Sequence, residues 1–91
     1  MSKKRDRLRV IFDILDVIRE KGETIKPTHI LYKSNLSHQM MQQYLNELIG
    51  KGFLIERVTE KGKNYSLTEK GFNYLKEYNK ITSFIESFGL N

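Results

Sequence analysis

The sequence predicts a mainly α-helical domain of the α+β class, with three helices, a β-hairpin and a long last helix. Two observations carry this prediction. First, apolar residues recur at helical spacing in several stretches of the chain. Second, the segment that precedes the last helical stretch is rich in β-branched and aromatic residues and contains a turn with glycine. A chain of 91 residues has room for one modest core.

The first helix is predicted between Arg5 and Lys21, because apolar residues recur there with the spacing of one helical face. They are Ile11, Ile14, Leu15 and Ile18. Gly22 follows at the position where glycine commonly ends a helix. The next residues, Glu23–Lys26, are predicted to form a short strand.

Two further helices follow, and a tight turn joins them. Pro27 blocks extension of the strand, and Thr28 is the expected N-cap of a short helix. Its inward residues are expected to be Ile30, Leu31 and Tyr32. Ser37 is the expected N-cap of a third helix, from about His38 to Ile49, with Met41, Leu45 and Leu48 on its apolar side. Two helices joined in this way form a helix-turn-helix pattern.

A β-hairpin and a long helix complete the chain. Phe53–Thr59 is the first strand, Glu60–Asn64 the glycine-bearing turn and Tyr65–Leu67 a short return strand. Thr68 then caps a last helix that runs to about Phe88. This order of elements predicts a winged helix-turn-helix with an added C-terminal helix.

The positive charge is concentrated at the N-terminus. Residues 1–9 carry a net charge of +4 out of +5 for the whole chain. A basic arm of this kind indicates a polyanionic partner, nucleic acid before membrane, although a solubilising tail has the same composition. The expected contacts of the arm are Lys3, Lys4, Arg5 and Arg7.

The predicted organisation of the chain is an arm over 1–9, a winged helix-turn-helix over 10–71 and a dimerisation helix over 72–91.

Composition excludes several classes of protein. The chain has no cysteine, which excludes disulfides, thiol catalysis and cysteine-ligated zinc and fits a reducing compartment. Its longest apolar runs, such as Val10-Ile11-Phe12, have three residues, too few to span a membrane. The basic start could resemble a signal peptide, but Arg9, Asp13 and Asp16 fall where its apolar segment would lie. We therefore expect a cytoplasmic protein.

No pattern of catalytic residues is present in the sequence. His29 and His38 lie on different predicted helices, without a nucleophile or carboxylate at a catalytic spacing, and they do not form a metal site. Asp13 and Asp16 are better explained as a solvated helix face. The Gly50-Lys51-Gly52 segment is neither a dinucleotide loop nor a P-loop. We expect no enzyme activity, no metal and no cofactor.

The outer side of the third helix fits a DNA-binding surface. Amide side chains can pair with adenine in the major groove, and a helix N-terminus can bind phosphate. The expected contacts on this helix are Ser37, His38, Gln39, Gln42, Gln43 and Asn46. Of these, Gln42, Gln43 and Asn46 are expected to read bases, and Gln39 is expected closer to the DNA backbone. Those on the hairpin are Arg57, Lys61 and Lys63. Each set has a plainer explanation, a polar helix exterior or a charged turn.

The last helix carries a second apolar pattern. A heptad seam that extends past the rest of the domain predicts a coiled-coil dimer. Its members are Tyr74, Tyr78, Ile81, Ile85 and Phe88. Phe72, Leu75 and Thr82 are expected to face the domain body instead. The alternative is that the seam folds back on the first helix.

With these elements in place, the sequence resembles the archaeal winged-helix family of small dimeric DNA-binding proteins, first described as ten-kilodalton chromatin-associated components. The matching residues are Tyr32–Ser37, Tyr44-Leu45, Leu48, Lys51–Ile55 and Tyr65–Gly71. The resemblance implies an antiparallel coiled coil through the last helices and double-stranded DNA as the partner, on the nucleoid. It leaves open a transcriptional regulator or an architectural protein.

Two other functions fit parts of the sequence. A winged helix can act as a protein-interaction module without nucleic-acid binding, and it would then show no salt-dependent DNA shift. RNA binding is the other alternative, but the sequence lacks an aromatic stacking platform.

Overall fold

The computed structural model describes residues 6–22 and 25–90, and in that part of the chain it has four helices and a two-stranded antiparallel sheet. The elements are α1 (Arg7–Lys21), α2 (Pro27–Ser34), α3 (His38–Gly50), β1 (Leu54–Thr59), β2 (Gly62–Leu67) and α4 (Glu69–Ser87). Their order is that of a winged helix fold with a long C-terminal helix, and the predicted fold class is confirmed.

Side-chain caps fix where three of the helices begin. Asp6 accepts a hydrogen bond from the backbone N–H of Arg9 (2.8 Å) at the start of α1. Two of the three predicted caps are observed: Ser37 Oγ accepts from the N–H of Met40, and Thr68 Oγ1 accepts from the N–H of Gly71, each at 3.2 Å. These bonds satisfy N–H groups that a helix start leaves without an intrahelical partner.

The segment before α3 differs from the prediction in three ways. Thr28 is not the cap of α2, because the helix already begins at Pro27 after Lys26, and the fixed φ of proline suits the first helical position. Tyr32 is 79 % exposed instead of facing inward. Of the predicted strand Glu23–Lys26, the first two residues lie outside the described ones. Ile25 and Lys26 are not in a strand, since the sheet of the described residues pairs only β1 with β2, and Ile25 is instead fully buried in the core.

The hairpin, here called the wing, is tighter and longer than expected. Thr59 pairs with Gly62 across a turn of two residues, so β2 begins at Gly62 and not at Tyr65. Gly62 has a φ of 118°, which favours glycine and allows the chain to reverse this early. Thr59 Oγ1 accepts from the N–H of Lys61 (3.2 Å) and donates to the carbonyl of Gly62 (3.0 Å), which holds the turn.

The core lies between α1, α2, α3, the wing and the first half of α4. Its buried apolar residues are Val10, Ile11, Ile14, Leu15, Ile18, Ile25, Ile30, Met41, Leu45, Leu48, Leu54, Tyr65 and Leu75. Because α3 contributes Met41, Leu45 and Leu48 to this core, its opposite side is turned to solvent.

Gly71 marks the closest approach between α4 and the rest of the domain. A Cβ at this position would lie 2.5 Å from the carbonyl oxygen of Phe53. A backbone atom cannot turn away as a flexible side chain would, so only glycine allows α4 to pack at this distance. Thr68 Oγ1 also donates to the carbonyl of Gly52 (2.6 Å), and the backbone N–H of Thr68 donates to the carbonyl of Phe53 (3.1 Å). The start of α4 is therefore firmly joined to the segment that follows α3.

Candidate nucleic-acid interface

The outer face of α3 presents a row of polar side chains. Ser37, His38, Gln39, Gln43 and Asn46 are exposed, as the sequence predicts. Gln42 is half-buried on the flank of the helix, because its position lies closer to the core side than the others. We call Gln39, Gln43 and Asn46 the amide row. It lies on the side of the helix opposite the core.

One flank of α3 is bound by the first residue of α1. Arg7 Nη2 donates to Glu47 Oε2, which also accepts from Lys51 Nζ (2.9 Å). The Arg7 guanidinium carbon lies 5.8 Å from the centre of the Tyr44 ring. Hydrogen bonds from Lys51 and Arg7 lower the pKa of the Glu47 carboxyl below its ordinary value, and Glu47 in turn raises the pKa of Arg7. The sequence pattern does not reveal this contact, because 40 positions separate Arg7 from Glu47.

The basic arm is only partly within the described residues. Lys3, Lys4 and Arg5 lie outside them. Arg7, predicted as an arm residue, is the first residue of α1, and Arg9 lies in the same helix with its Nε 3.2 Å from Asp13 Oδ1. The start of α1 thus already belongs to the folded domain.

The basic side chains of the wing lie on different faces of the hairpin. Arg57, Lys61 and Lys63 are all exposed, as expected. Arg57 pairs with Asn64 and Val58 pairs with Lys63, and neighbouring positions on a strand point to opposite faces. Arg57 and Lys63 therefore lie on opposite faces of the wing, with Lys61 in the turn. Lys63 Nζ is 3.8 Å from Glu56 Oε2.

The seam predicted on α4 divides into two parts. Tyr74 and Tyr78 pack on the domain: the Tyr74 hydroxyl donates to the carbonyl of Leu8 (2.7 Å), and the Tyr78 ring stacks on Phe12 with centroids 4.6 Å apart. Burial raises the pKa of Tyr74 to about 12. Phe72, expected on the body, is instead half exposed. Leu75 is buried as expected and Thr82 is half-buried. The alternative that the seam folds back on the first helix therefore holds for its first half.

The second half of α4 leaves an apolar stripe uncovered. Ile81, Phe84 and Phe88 are 57 %, 62 % and 66 % exposed, whereas Ile85 is half-buried. We call these three exposed residues the α4 stripe. Phe84 is absent from the predicted seam, although its spacing from Ile81 and Phe88 is that of one helical face. The Phe84 and Phe88 rings lie 5.0 Å apart.

An apolar groove continues the stripe onto the domain body. Its volume is about 320 Å³, and Leu8, Phe53, Tyr74, Tyr78 and Ile81 line its apolar walls. Leu8 is itself 56 % exposed. The stripe and the groove together form one continuous apolar surface along α4 and the start of α1.

The described residues hold no group of three or more side chains suited to bind a metal ion. His29 and His38 are exposed on α2 and α3. Within the same part of the chain, no helix is long and apolar enough to cross a membrane.

The helix-turn-helix, the wing and the exposed polar side of α3 define a winged helix-turn-helix protein. Comparison with known families agrees: a family described as winged helix-turn-helix matches residues 4–86, and the chain belongs to it. It is also similar to two uncharacterised proteins of the archaeon Methanocaldococcus jannaschii. MJ0287 is 44 % identical over 68 residues, which are 75 % of this chain, and MJ0290 is 32 % identical over 84 residues, which are 92 % of it. The chain covers 64 % of the length of MJ0287 and 37 % of that of MJ0290.

Solved structures share the fold at low sequence identity. Sso10a-2, a DNA-binding protein from Sulfolobus solfataricus, superposes with a TM-score of 0.80 and 24 % identity, over 92 % of this chain and 85 % of that one. MepR, a transcription regulator of a Staphylococcus aureus efflux pump, gives 0.76 and 16 %, over 87 % and 60 %. FabT of Streptococcus pneumoniae, solved in complex with DNA, gives 0.69 and 20 %, over 86 % and 57 %.

Proposed function

We propose that this protein binds double-stranded DNA as a homodimer, with the outer face of α3 in the major groove and the wing on the adjacent backbone. The observation that carries the proposal is the amide row, Gln39, Gln43 and Asn46, exposed on the second helix of a helix-turn-helix. Amide side chains recognise adenine by paired hydrogen bonds, and a rigid helix presents them at fixed positions.

Phosphate contacts would come from the ends of this surface. The exposed Ser37 at the start of α3 can bind a phosphate through its hydroxyl and the neighbouring N–H groups, with His38 beside it. The wing adds Arg57, Lys61 and Lys63. The basic residues of the arm, Lys3, Lys4 and Arg5, would extend the same electrostatic contact.

The α4 stripe supports the homodimer. A helix whose exposed apolar residues continue into an apolar groove is typical of an association surface. A second copy of the chain offers the same stripe and groove, as a two-fold interface requires. An antiparallel pairing of α4 with its copy would place one helix-turn-helix at each end of the dimer.

We further propose that the protein is of the small archaeal, ten-kilodalton chromatin-associated type, bound to the nucleoid, in an architectural or regulatory role. Two observations support this proposal: MJ0287 and MJ0290 are archaeal, and the fold superposes on the DNA-binding protein Sso10a-2 with a TM-score of 0.80.

A mobility-shift competition across a salt series tests the function. We expect a shift with mixed-sequence duplex DNA whose log affinity falls linearly with log salt, by about 0.9 per phosphate contact. Competition by random DNA equal to that by selected DNA would indicate architectural binding, and a preference of about a thousand-fold or more would indicate a regulator. If no duplex shifts even at low salt, the proposal fails and a protein-interaction module remains.

Deleting residues 2–5 is expected to weaken binding to all DNA sequences alike. The deletion removes Lys3, Lys4 and Arg5 but leaves the Asp6 cap and Arg7, so folding is expected to persist. The salt slope should become shallower by about 0.9 for each phosphate that these three residues neutralise in the full-length protein. A full-length variant with serine at those three basic positions is the matched control for chain length. If the slope is unchanged in both proteins, the arm is a solubilising tail.

A further inference from the structure

Arg7 and the amide row of α3 lie on neighbouring parts of one surface. Gln43 of the amide row borders a shallow depression whose other walls include Arg7, Met40 and Glu47. The Arg7 side chain is 53 % exposed and that of Glu47 25 %. A cation from α1 therefore stands beside the helix that carries the proposed base contacts.

Glu47 and Tyr44 of α3 contact the Arg7 guanidinium, and the Arg7 side chain stays 53 % exposed. Glu47 Oε2 accepts from its Nη2, and the Tyr44 ring lies 5.8 Å from its central carbon. A guanidinium has five N–H donors in one plane, so a carboxylate bound at one edge leaves donors for another acceptor. Arginine binds phosphate through paired N–H groups when its plane is fixed in advance. The exposed half of Arg7 is thus suited to a phosphate oxygen.

The start of α1 is fixed by neighbours on other elements as well. The Tyr74 hydroxyl of α4 donates to the carbonyl of Leu8, and Asp6 caps the helix. Arg7 is consequently held in place by the folded domain. A contact made by a positioned side chain loses less conformational entropy on binding than one made by a free side chain.

We infer that Arg7 is a DNA-backbone contact of the α3 surface and that Glu47 is the positioning residue that orients it. This inference rests on the proposed DNA binding. Glu47 is the one acidic residue of α3. A carboxylate beside DNA repels phosphate unless a bound cation neutralises it. Arg7 and Lys51 both donate to the Glu47 carboxylate and neutralise it in this way.

A double-mutant cycle separates this role from simple charge repulsion. The four proteins are the wild type, Glu47→Ala, Arg7→Gln and the double variant, each titrated with one DNA duplex across a salt series. Arg7→Gln should weaken binding about ten-fold and make the salt slope shallower by about 0.9 for each protomer, or about 1.8 for the dimer. Glu47→Ala should weaken binding several-fold, although it removes a negative charge. In the Arg7→Gln background the same substitution should not weaken binding any further.

Glu20→Ala is the matched control, because it removes the same charge from an exposed position near the far end of α1. It should leave the affinity and the salt slope unchanged. Thermal unfolding checks that every variant is folded, which we expect because exposed ion pairs contribute little to stability.

The outcomes are distinct. If Glu47→Ala strengthens binding equally with and without Arg7, Glu47 acts by charge alone and the inference is wrong. It is also wrong if Arg7→Gln binds as tightly as a wild type that does bind DNA, and in that case the proposed function stands. A wild type that binds no duplex would overturn both.

Discussion

A variant with glutamate in place of both Ile81 and Phe84 is expected to be a folded monomer at concentrations at which we expect the wild type to form the proposed homodimer. Both residues belong to the α4 stripe and touch solvent over more than half of their surface, so the isolated chain tolerates the change. In the dimer, each carboxylate would face apolar side chains, at a cost of at least about 2 kcal/mol. The homodimer holds four of these carboxylates, so together they would cost at least about 8 kcal/mol and weaken the dimer roughly a million-fold.

Light scattering of wild type and variant at equal concentration measures this result. The matched control places glutamate at Phe72 and Asn79, which are exposed on the side of α4 opposite the stripe. It adds the same charge and should remain a dimer. A stripe variant that stays dimeric, or a control that dissociates equally, would contradict the assignment of the interface.

The second large effect is expected from the amide row. Replacing Gln39, Gln43 and Asn46 with alanine should cost about 1–3 kcal/mol for each paired contact to a preferred base and should flatten any sequence preference. Alanine is a strong helix former, and the three residues point away from the core, so the fold should persist.

Gln42→Ala serves as the comparison within the same helix. The sequence predicts Gln42 as a base contact, but it lies on the half-buried flank of α3, and its replacement should have a smaller effect. Titration of each variant with preferred and random DNA distinguishes the cases. An equal decrease in affinity for both would mean that the row touches phosphates only, and an unchanged affinity of the triple variant would remove α3 from the interface.

The elements with local signals are predictable from the sequence. The third helix has a capping serine, an apolar face of Met41, Leu45 and Leu48 and a glycine near its end, and all of these act within one segment. The same local chemistry identifies the wing and the cap of α4 at Thr68. For the same reason, the exposed positions of α3 follow from residue spacing alone.

Contacts between distant segments cannot be predicted in this way. Heptad spacing in α4 marks apolar residues but not their partners. Tyr74 contacts Phe53 and Leu8 of the same chain, and Tyr78 contacts Phe12. The pairing of Arg7 with Glu47 is hidden for the same reason. The aromatic character of Tyr32 predicts an inward position, yet α2 buries only Ile30 and Ser34, since it is a short helix with one inner side.

The close contact at Gly71 and the length of α4 have a consequence for the spacing of the DNA-binding units. The chain after α3 and the start of α4 are in contact too close for any side chain, and this contact fixes the point at which α4 leaves the domain. The helix is 19 residues long, about 28 Å at the usual rise per residue. In a dimer joined near the far end of α4, the separation of the two helix-turn-helix units is then set by the residue count of this helix. The spacing of the two DNA segments that one dimer can bridge would be encoded in that length.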